Sequence, residues 1–237
     1  MHLFFSSDIG YGEYFLNEAE SRHCIKVLRL EKGDTVWLTD GKGNLFESTI
    51  TDNNIKQCRL DIIKVHSQQN QSSFSLHIAV SYTKNPDRFE WFVEKATEIG
   101  IQHITPLLCE RTERIKIKTE RLEKLLIAAL KQSHQTYLPT LHQAETFLSF
   151  VGNKEATSNR YIAYCNDTDS IQHLSKLYPA GSDLIILIGP EGDFTEKEIN
   201  FAIENQYKPI SLGNNRLRTE TAALYACTCI NLLNQMK

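Results

Sequence analysis

Five consecutive aliphatic residues, at positions 184–188, lead directly into a loop with glycines at Gly189 and Gly192. An unbroken apolar run of this length predicts a strand that is buried on both faces, which is typical of parallel sheets. Thr195 and Glu198 follow with the spacing of a capping box, so we expect a helix to begin directly after the loop. This order of strand, loop and helix favours an α/β fold.

The segments on either side continue the same alternation. Apolar positions in residues 86–100 recur with helical spacing, and Gly100 ends the pattern. The last helix, predicted from Thr219 to about residue 234, is apolar nearly all round, so we expect it to be buried and to contribute to a subunit interface. The sequence thus predicts a mainly parallel sheet with helices on both faces. Further strands are predicted at 74–80, 104–110, 160–165 and 208–213, and a further helix at 121–132.

Residues 1–66 show a different pattern. A capping box at Asn17 and Glu20 predicts a short helix that continues to Leu28. Short β-rich segments separated by Asp, Asn and Gly residues then indicate a small antiparallel barrel. These segments are 34–40, 44–52 and 56–65.

The polar composition of residues 66–73 is typical of a linker. We therefore predict two domains, one over residues 1–70 and the other over residues 71–237. Each is long enough to form a hydrophobic core of its own.

The composition excludes several classes of protein. A formal net charge of −3 and a pI near 6.2 do not indicate a nucleic-acid binder, so any such role must rest on a local basic patch. The six cysteines include no C-x-x-C pair, which argues against a zinc ribbon and fits reduced thiols. No metal-ligand cluster, signal peptide or membrane-spanning run is evident. We expect a cytoplasmic protein with neither metal nor membrane partner.

The loop at 189–195 contains two acids, Glu191 and Asp193, and lacks the Gly-Lys-Ser/Thr of a phosphate-binding loop. Its position at the end of a buried strand is where α/β sheets bind ligands. Carboxylates there suit hydroxyl, ammonium or sulfonium groups better than phosphate. A glycine turn that only connects strand to helix would have the same sequence.

A second loop with glycine at a strand end occupies residues 211–218. Arg216 and Arg218 follow Gly213, and Thr219 is predicted to cap the last helix. Solvated surface charge is the usual role of arginine, but two arginines beside a glycine turn at a strand end weaken that interpretation here.

The two loops, IGPEGDFTEKE and SLGNNRLRTETAALYA, resemble the signature loops of the knotted SPOUT methyltransferases. More narrowly, the chain is similar to the RsmE family, which methylates N3 of uracil-1498 in 16S ribosomal RNA. The segments SRHCIKVLRLEKGD, KATEIG, ITPLLCERT and AALKQSHQTYLP resemble family segments in the same order. The resemblance implies an N-terminal PUA-like RNA-binding barrel, a C-terminal domain with a trefoil knot, S-adenosylmethionine (SAM) as methyl donor, and a homodimer.

The chain departs from the family pattern at three positions. Asp193 replaces a glycine, and Asn215 and Gln135 replace arginines. Aspartate tolerates unusual backbone angles, so we expect the turn at Asp193 to be kept. Without arginine at positions 215 and 135, the chain has its RNA-contacting charge placed differently from the family pattern.

The resemblance also assigns site residues. SAM would contact the ends of three strands, and Arg218 is the first candidate for stabilising negative charge on uracil, with Lys84 and Glu220 as further catalytic candidates. The general base stays open between Glu220, Asp193 and water. The cofactor-binding set is Cys165 with Asn166, Ile188, Gly189, Pro190, Glu191, Gly192, Leu212, Gly213, Leu217, Arg218 and Thr219.

Residues 111–131 contain seven Lys or Arg and three Glu, a local charge of +4 that would suit RNA phosphates. A solvated helix face with salt bridges would give the same count. The RNA-binding candidates are Arg22, His23, Arg29, Arg111, Arg114 and Lys116.

The predicted partner is 16S rRNA, free or in the assembled small ribosomal subunit. A SPOUT enzyme acting on another RNA, such as tRNA or 23S rRNA, is the nearest alternative. A non-catalytic RNA-binding assembly factor is a second, although the intact loop glycines argue against it. The acidic loop disfavours a nucleotide hydrolase.

Overall fold

The computed structural model describes residues 1–67, 72–153, 159–165 and 171–236, and these form two compact units. The first unit comprises Met1–Gln71 and Leu130–Leu138, and the second comprises Ser72–Ala129 and Pro139–Lys237. Half of the predicted linker, residues 68–71, lies outside the described residues.

The first unit contains a five-stranded sheet in the order β1-β3-β4-β5-β2. Three of its pairings are antiparallel, and the β1–β3 pairing is parallel. The predicted helix is split into a short α-helix and a π-helix, His23–Val27. The elements are β1 (Leu3–Phe5), β2 (Glu13–Phe15), α1 (Glu18–Arg22), β3 (Thr35–Thr39), β4 (Leu45–Asp52) and β5 (Arg59–His66).

The core of this unit follows from alternation along the strands. Residues at every second position of β4 are buried, as expected for a strand with one face toward a core. The buried cluster consists of Phe4, Leu16, Cys24, Val36, Leu38, Phe46, Ile50, Cys58 and Leu60.

Residues Leu130–Leu138 complete the first unit through the turn between β3 and β4. The Gly43 N–H donates to the Thr136 carbonyl and the Leu138 N–H to the Gly41 carbonyl, both at 2.9 Å. Gly43 has a φ of 95° and approaches the Tyr137 ring so closely that a β-carbon would overlap the hydroxyl. Gly41 and Gly43 therefore form the turn between β3 and β4 and also bind the segment Leu130–Leu138.

The second unit contains a parallel sheet in the order β12-β10-β11-β6-β7-β8, with β9 paired to β7. Every pairing among its described strands is parallel. Its strands are β6 (Leu76–Ser81), β7 (His103–Leu108), β8 (Thr140–Leu141), β9 (Glu145–Thr146), β10 (Asn159–Ala163), β11 (Leu184–Ile188) and β12 (Lys208–Ile210). Its helices are α2 (Pro86–Ile99), α3 (Thr119–Ser133), α4 (Phe147–Gly152), α5 (Leu174–Leu177), α6 (Glu196–Glu204) and α7 (Thr219–Gln235).

Helices cover both faces of this sheet. Ile185 and Leu187 of β11 belong to one cluster with Phe147 of α4 and Ala202 of α6. The alternate residues of β11 are equally buried and face the other side, where α7 packs against β11 and β6. The predicted α/β class, with an antiparallel N-terminal part, is confirmed. The trefoil knot stays a prediction.

The start of α6 and the end of α2 follow the signals predicted from the sequence. The Thr195 side chain and the Glu198 carboxylate form both bonds of the capping box at α6. Asn85 caps α2, and Gly100 ends it with a φ of 102°. Within the described residues, no helix is both long and apolar enough to cross a membrane.

Candidate functional site

A cavity of about 830 Å³ opens at the carboxyl ends of β10, β11 and β12. Parallel pairing places the three ends at one edge of the sheet, where α/β folds bind ligands. The cavity is lined by Ala163, Tyr164, Cys165, Ile171, Ile188, Gly189, Pro190, Glu191, Asp193, Ile210, Ser211, Leu212, Gly213, Asn214, Asn215, Arg216, Leu217, Arg218, Thr219 and Ala222.

Of the predicted cofactor-binding residues that the structure describes, all except Gly192 line this cavity. Asn166 lies outside the described residues. The Gly192 carbonyl accepts a hydrogen bond from the Arg111 guanidinium, on the other side of the loop. The cavity is also lined by Arg216, which the sequence analysis singles out beside Gly213. Sequence reasoning missed Tyr164 and Asn214, which neighbour predicted residues at the same strand ends.

The loop after β11 is held in one conformation by its own residues and by helix α6. The Asp193 N–H donates to the Pro190 carbonyl at 2.9 Å, which closes a tight turn. The Phe194 ring is buried and packs against Phe147 of α4 with ring centroids 5.2 Å apart. A β-carbon at Gly189 would lie only 3.1 Å from the Phe194 ring, so a larger residue there would have to displace that ring by a few tenths of an ångström.

Thr219 joins the loop after β12 to the loop after β11. Its hydroxyl donates to the Gly189 carbonyl at 2.9 Å, and the side chain is buried. The prediction that Thr219 caps α7 is wrong, because the N-cap residue is Arg218, which makes no side-chain capping bond. The threonine hydroxyl satisfies a strand-end carbonyl instead.

The catalytic candidates occupy different environments. Arg218 is exposed and lines the cavity directly before α7. Lys84 does not line it in the described structure: its ammonium pairs with Glu113 at 2.7 Å, and its N–H donates to Glu191 at 3.2 Å. The hydrogen bond to Glu113, aided by its charge, raises the pKa of Lys84.

Glu220 faces away from this cavity. It is 7% exposed and, with Arg88, lines a separate cavity of about 270 Å³. Its Oε1 lies 3.8 Å from the Arg88 Nε, whereas its buried Oε2 has no hydrogen-bond partner within the described structure. Successive helical residues point about 100° apart, so Thr219 and Glu220 cannot both face Gly189.

The RNA-binding candidates lie on exposed segments of both units. Arg111, Arg114 and Lys116 are exposed in the segment between β7 and α3, where Ile115 is also 74% exposed. The candidates in the first unit are Arg22, which pairs with Glu18 at 2.9 Å, His23 in the π-helix, and Arg29, which has a φ of 57°. All three are exposed.

The part of the chain that the structure describes contains no candidate metal-binding site. No group of three or more His, Cys, Asp or Glu side chains there could hold an ion. The same residues contain no disulfide, and Cys165 is the exposed thiol among the six.

Comparisons with known proteins agree with this geometry. A family model described as an RNA methyltransferase domain matches residues 70–231, and one described as an RNA methyltransferase PUA domain matches residues 16–63. The ribosomal RNA small subunit methyltransferase E of Rickettsia conorii is 32% identical over 89% of this chain and 86% of that protein. Its namesake from Synechocystis sp. is 30% identical over 92% of this chain and 72% of that protein.

Solved structures give the same result. A protein from Porphyromonas gingivalis named as a probable rRNA-methyltransferase has a TM-score of 0.93 and 36% identity, with coverage of 100% of this chain and 99% of that one. A Legionella pneumophila protein solved with the bound cofactor SAM has a TM-score of 0.85 and 28% identity, with coverage of 98% and 97%. The chain therefore belongs to the RsmE family of RNA methyltransferases, as its two signature loops predict.

Proposed function

We propose that this chain is a SAM-dependent methyltransferase that methylates N3 of a uridine in 16S rRNA of the small ribosomal subunit. The observation that carries the proposal is the cavity formed by the two signature loops. It occurs in a chain whose relatives are named for small-subunit rRNA methylation and include a structure with SAM bound.

The residues of the cavity fit SAM. Its volume of about 830 Å³ is within the range for small-molecule sites. The backbone of Gly213 is exposed at the cavity and no atom lies within 4 Å of a β-carbon built there, so a ligand can approach it closely. The exposed Glu191 carboxylate is available to hydroxyl or ammonium groups, and Ile188 and Leu217 provide apolar surface.

When bound, SAM supplies a methyl group that its sulfonium has already activated for in-line displacement. The chain must then orient uracil and stabilise the negative charge that appears as N3 loses its proton. Two observations support Arg218 for this role: it is exposed at the cavity, and its backbone is restrained at the start of α7.

For the proton itself, the arrangement favours water as the acceptor. Glu220 faces the other cavity, beside Arg88. Both oxygens of Asp193 accept backbone N–H bonds. Water reaching the exposed Arg218 can take the N3 proton, while the guanidinium stabilises the anion.

The RNA is proposed to be bound by both units. The PUA-domain match, with exposed Arg22, His23 and Arg29, supports a contact through the first unit. Arg111, Arg114 and Lys116 follow the carboxyl end of β7, at the edge of the sheet that carries the cavity. The names of the relatives favour 16S rRNA over tRNA or 23S rRNA.

We also propose a homodimer that acts in the cytoplasm, where small ribosomal subunits are made. Tyr225 and Leu232 are exposed apolar residues of α7, and helix spacing places them on one stripe. Such an apolar stripe on a C-terminal helix is suited to pairing with a second copy.

The test uses labelled SAM with 16S rRNA and with small subunits, both from a strain that lacks the modification. Mass spectrometry of nuclease digests should find one methylated uracil, with tRNA and 23S rRNA as controls. Transfer to a control RNA alone would contradict the substrate assignment. Binding of 16S rRNA without any SAM binding in calorimetry would support the assembly-factor alternative, and binding of ATP instead of SAM would support a hydrolase.

A further inference from the structure

Asp193 adopts a backbone conformation that favours glycine. Its φ of 64° is in the left-handed region, where side chains other than those of Asn and Asp are uncommon. Glycine would form the same turn without this cost. The turn alone therefore does not require a carboxylate at this position.

The carboxylate joins two loops of the cavity. Its Oδ2 accepts the Cys165 N–H at 2.8 Å, and its Oδ1 accepts the N–H of the next residue, Phe194, also at 2.8 Å. Cys165 belongs to the loop after β10, whereas Asp193 belongs to the loop after β11. Cys165 and Asp193 both line the cavity.

The loops after β11 and β12 are anchored by contacts of other kinds. Thr219 ties the loop after β12 to Gly189, and the loop after β11 is anchored by Phe194 and the α6 capping box. The Cys165 N–H, in contrast, is bound to a carboxylate from another loop. A hydrogen bond to a charged acceptor is stronger than a neutral one.

We propose that Asp193 is a positioning residue that holds the backbone of Cys165, two residues after the end of β10, in the position that binds SAM. The inference rests on the proposed function, because it assigns a role within the same cavity. If the Cys165 backbone is held in place before SAM arrives, binding does not have to supply the free energy of fixing it. Asp193 then contributes to SAM affinity through the backbone of Cys165 and not to the methyl-transfer step.

The test compares Asp193→Gly and Asp193→Asn with a matched control, Gln206→Gly. Gln206 is exposed, has a φ of 68° and lines neither cavity, so the control shares the change in backbone strain and chain entropy. Three quantities are measured on the full chain: SAM affinity by calorimetry, exchange of the Cys165 amide hydrogen without ligand, and kcat at saturating SAM.

We expect Asp193→Gly to weaken SAM binding about tenfold or more, the effect of losing one hydrogen bond to a charged group. The Cys165 amide should exchange faster, and kcat at saturating SAM should stay within about twofold of wild type. Asp193→Asn retains one acceptor oxygen and should lie between wild type and the glycine variant. Gln206→Gly should behave as wild type in all three measurements.

Wild-type SAM affinity in Asp193→Gly, or unchanged exchange at Cys165, would overturn the proposal. A loss of kcat with unchanged affinity would also overturn it, since Asp193 would then act in the chemical step. If the wild-type chain binds no SAM, the proposed function fails. In that case the exchange of the Cys165 amide still decides whether Asp193 holds the Cys165 backbone.

Discussion

Arg218 combines two properties: its backbone is restrained at the start of α7, and its side chain is exposed at the cavity. It is the N-cap residue of α7, directly before the buried Thr219. A guanidinium beside a sulfonium cannot serve to bind that charge, since like charges repel. Its effect should fall on the anion that forms as the uracil proton leaves, which exists mainly in the transition state.

We therefore expect Arg218→Ala to lower kcat about a hundredfold, while SAM affinity stays within a few-fold of wild type. Single-turnover rates on rRNA and calorimetry on the same preparation measure the two effects. Lys176→Ala, which removes an exposed cation of the same unit away from both cavities, is the control. A variant that loses SAM binding would show that Arg218 shapes the pocket instead.

The cysteines provide a chemical probe of the cavity. Cys165 is exposed and lines it, whereas burial raises the pKa of Cys109 and of Cys227 to about 12. At pH 8 the thiols of Cys109 and Cys227 remain protonated and unreactive, because only the thiolate is nucleophilic. We expect iodoacetamide to modify Cys165 first and SAM to slow that reaction, as measured by peptide mass spectrometry. Equal rates at Cys109 or Cys227 would contradict the burial of those thiols.

At the scale of elements, the glycines on either side of β3 meet two different demands, a left-handed backbone conformation and a close approach to another side chain. Gly33 and Gly43 have nearly equal positive φ angles of 98° and 95°. No atom lies within 4 Å of a β-carbon built at Gly33, whereas one at Gly43 would overlap Tyr137. Substitution at Gly33 therefore tests the cost of backbone strain alone, whereas substitution at Gly43 tests backbone strain together with steric overlap.

We expect Gly33→Ala to lower the free energy of unfolding by about 1–2 kcal/mol, the cost of a left-handed conformation. Gly43→Ala should cost more, because the Tyr137 ring must also move. Urea unfolding monitored by circular dichroism gives both values. Equal losses would show that Tyr137 adapts freely and that the docking of Leu130–Leu138 does not depend on this glycine.

Long, strongly patterned elements could be predicted from the sequence, and short ones could not. The capping signals of α2 and α6 and the buried run of β11 identified elements that the structure contains. Strands β1 and β2 have three residues each and β8 and β9 two, too few to show alternation. At the site, residue types identified the loops, but only helix geometry shows that Thr219 and Glu220 face different cavities.

At the scale of the whole molecule, the exposed apolar residues of α7 predict a dimer formed by the second unit. Leu232 is 53% exposed on this helix, and Ile63 on β5 of the first unit is 62% exposed. We expect Leu232→Glu to convert a dimer into a monomer, because a buried unpaired charge destabilises an interface. Light scattering should report that change, with Ile63→Glu as the matched control that stays dimeric. The reverse result would move the interface to the first unit.

SAM should also stabilise the whole chain if the proposed function is right. Ligand at about one hundred times its dissociation constant adds roughly 2.7 kcal/mol to the free energy of unfolding. Thermal unfolding with and without millimolar SAM measures this, with ATP as the control ligand. An unchanged melting temperature in SAM would count against the cofactor assignment.

The division of the first unit between Met1–Gln71 and Leu130–Leu138 has a consequence for synthesis on the ribosome. The chain leaves the ribosome from its N-terminus, so Leu138 emerges roughly 70 residues after Gln71, which at about 5–20 residues per second is a delay of roughly 4–14 s. During that time the β3–β4 turn has no Tyr137 or Leu138 to dock against. The N-terminal unit therefore cannot finish folding before Leu138 has been made, by which time the Ser72–Ala129 part of the second unit has been made as well.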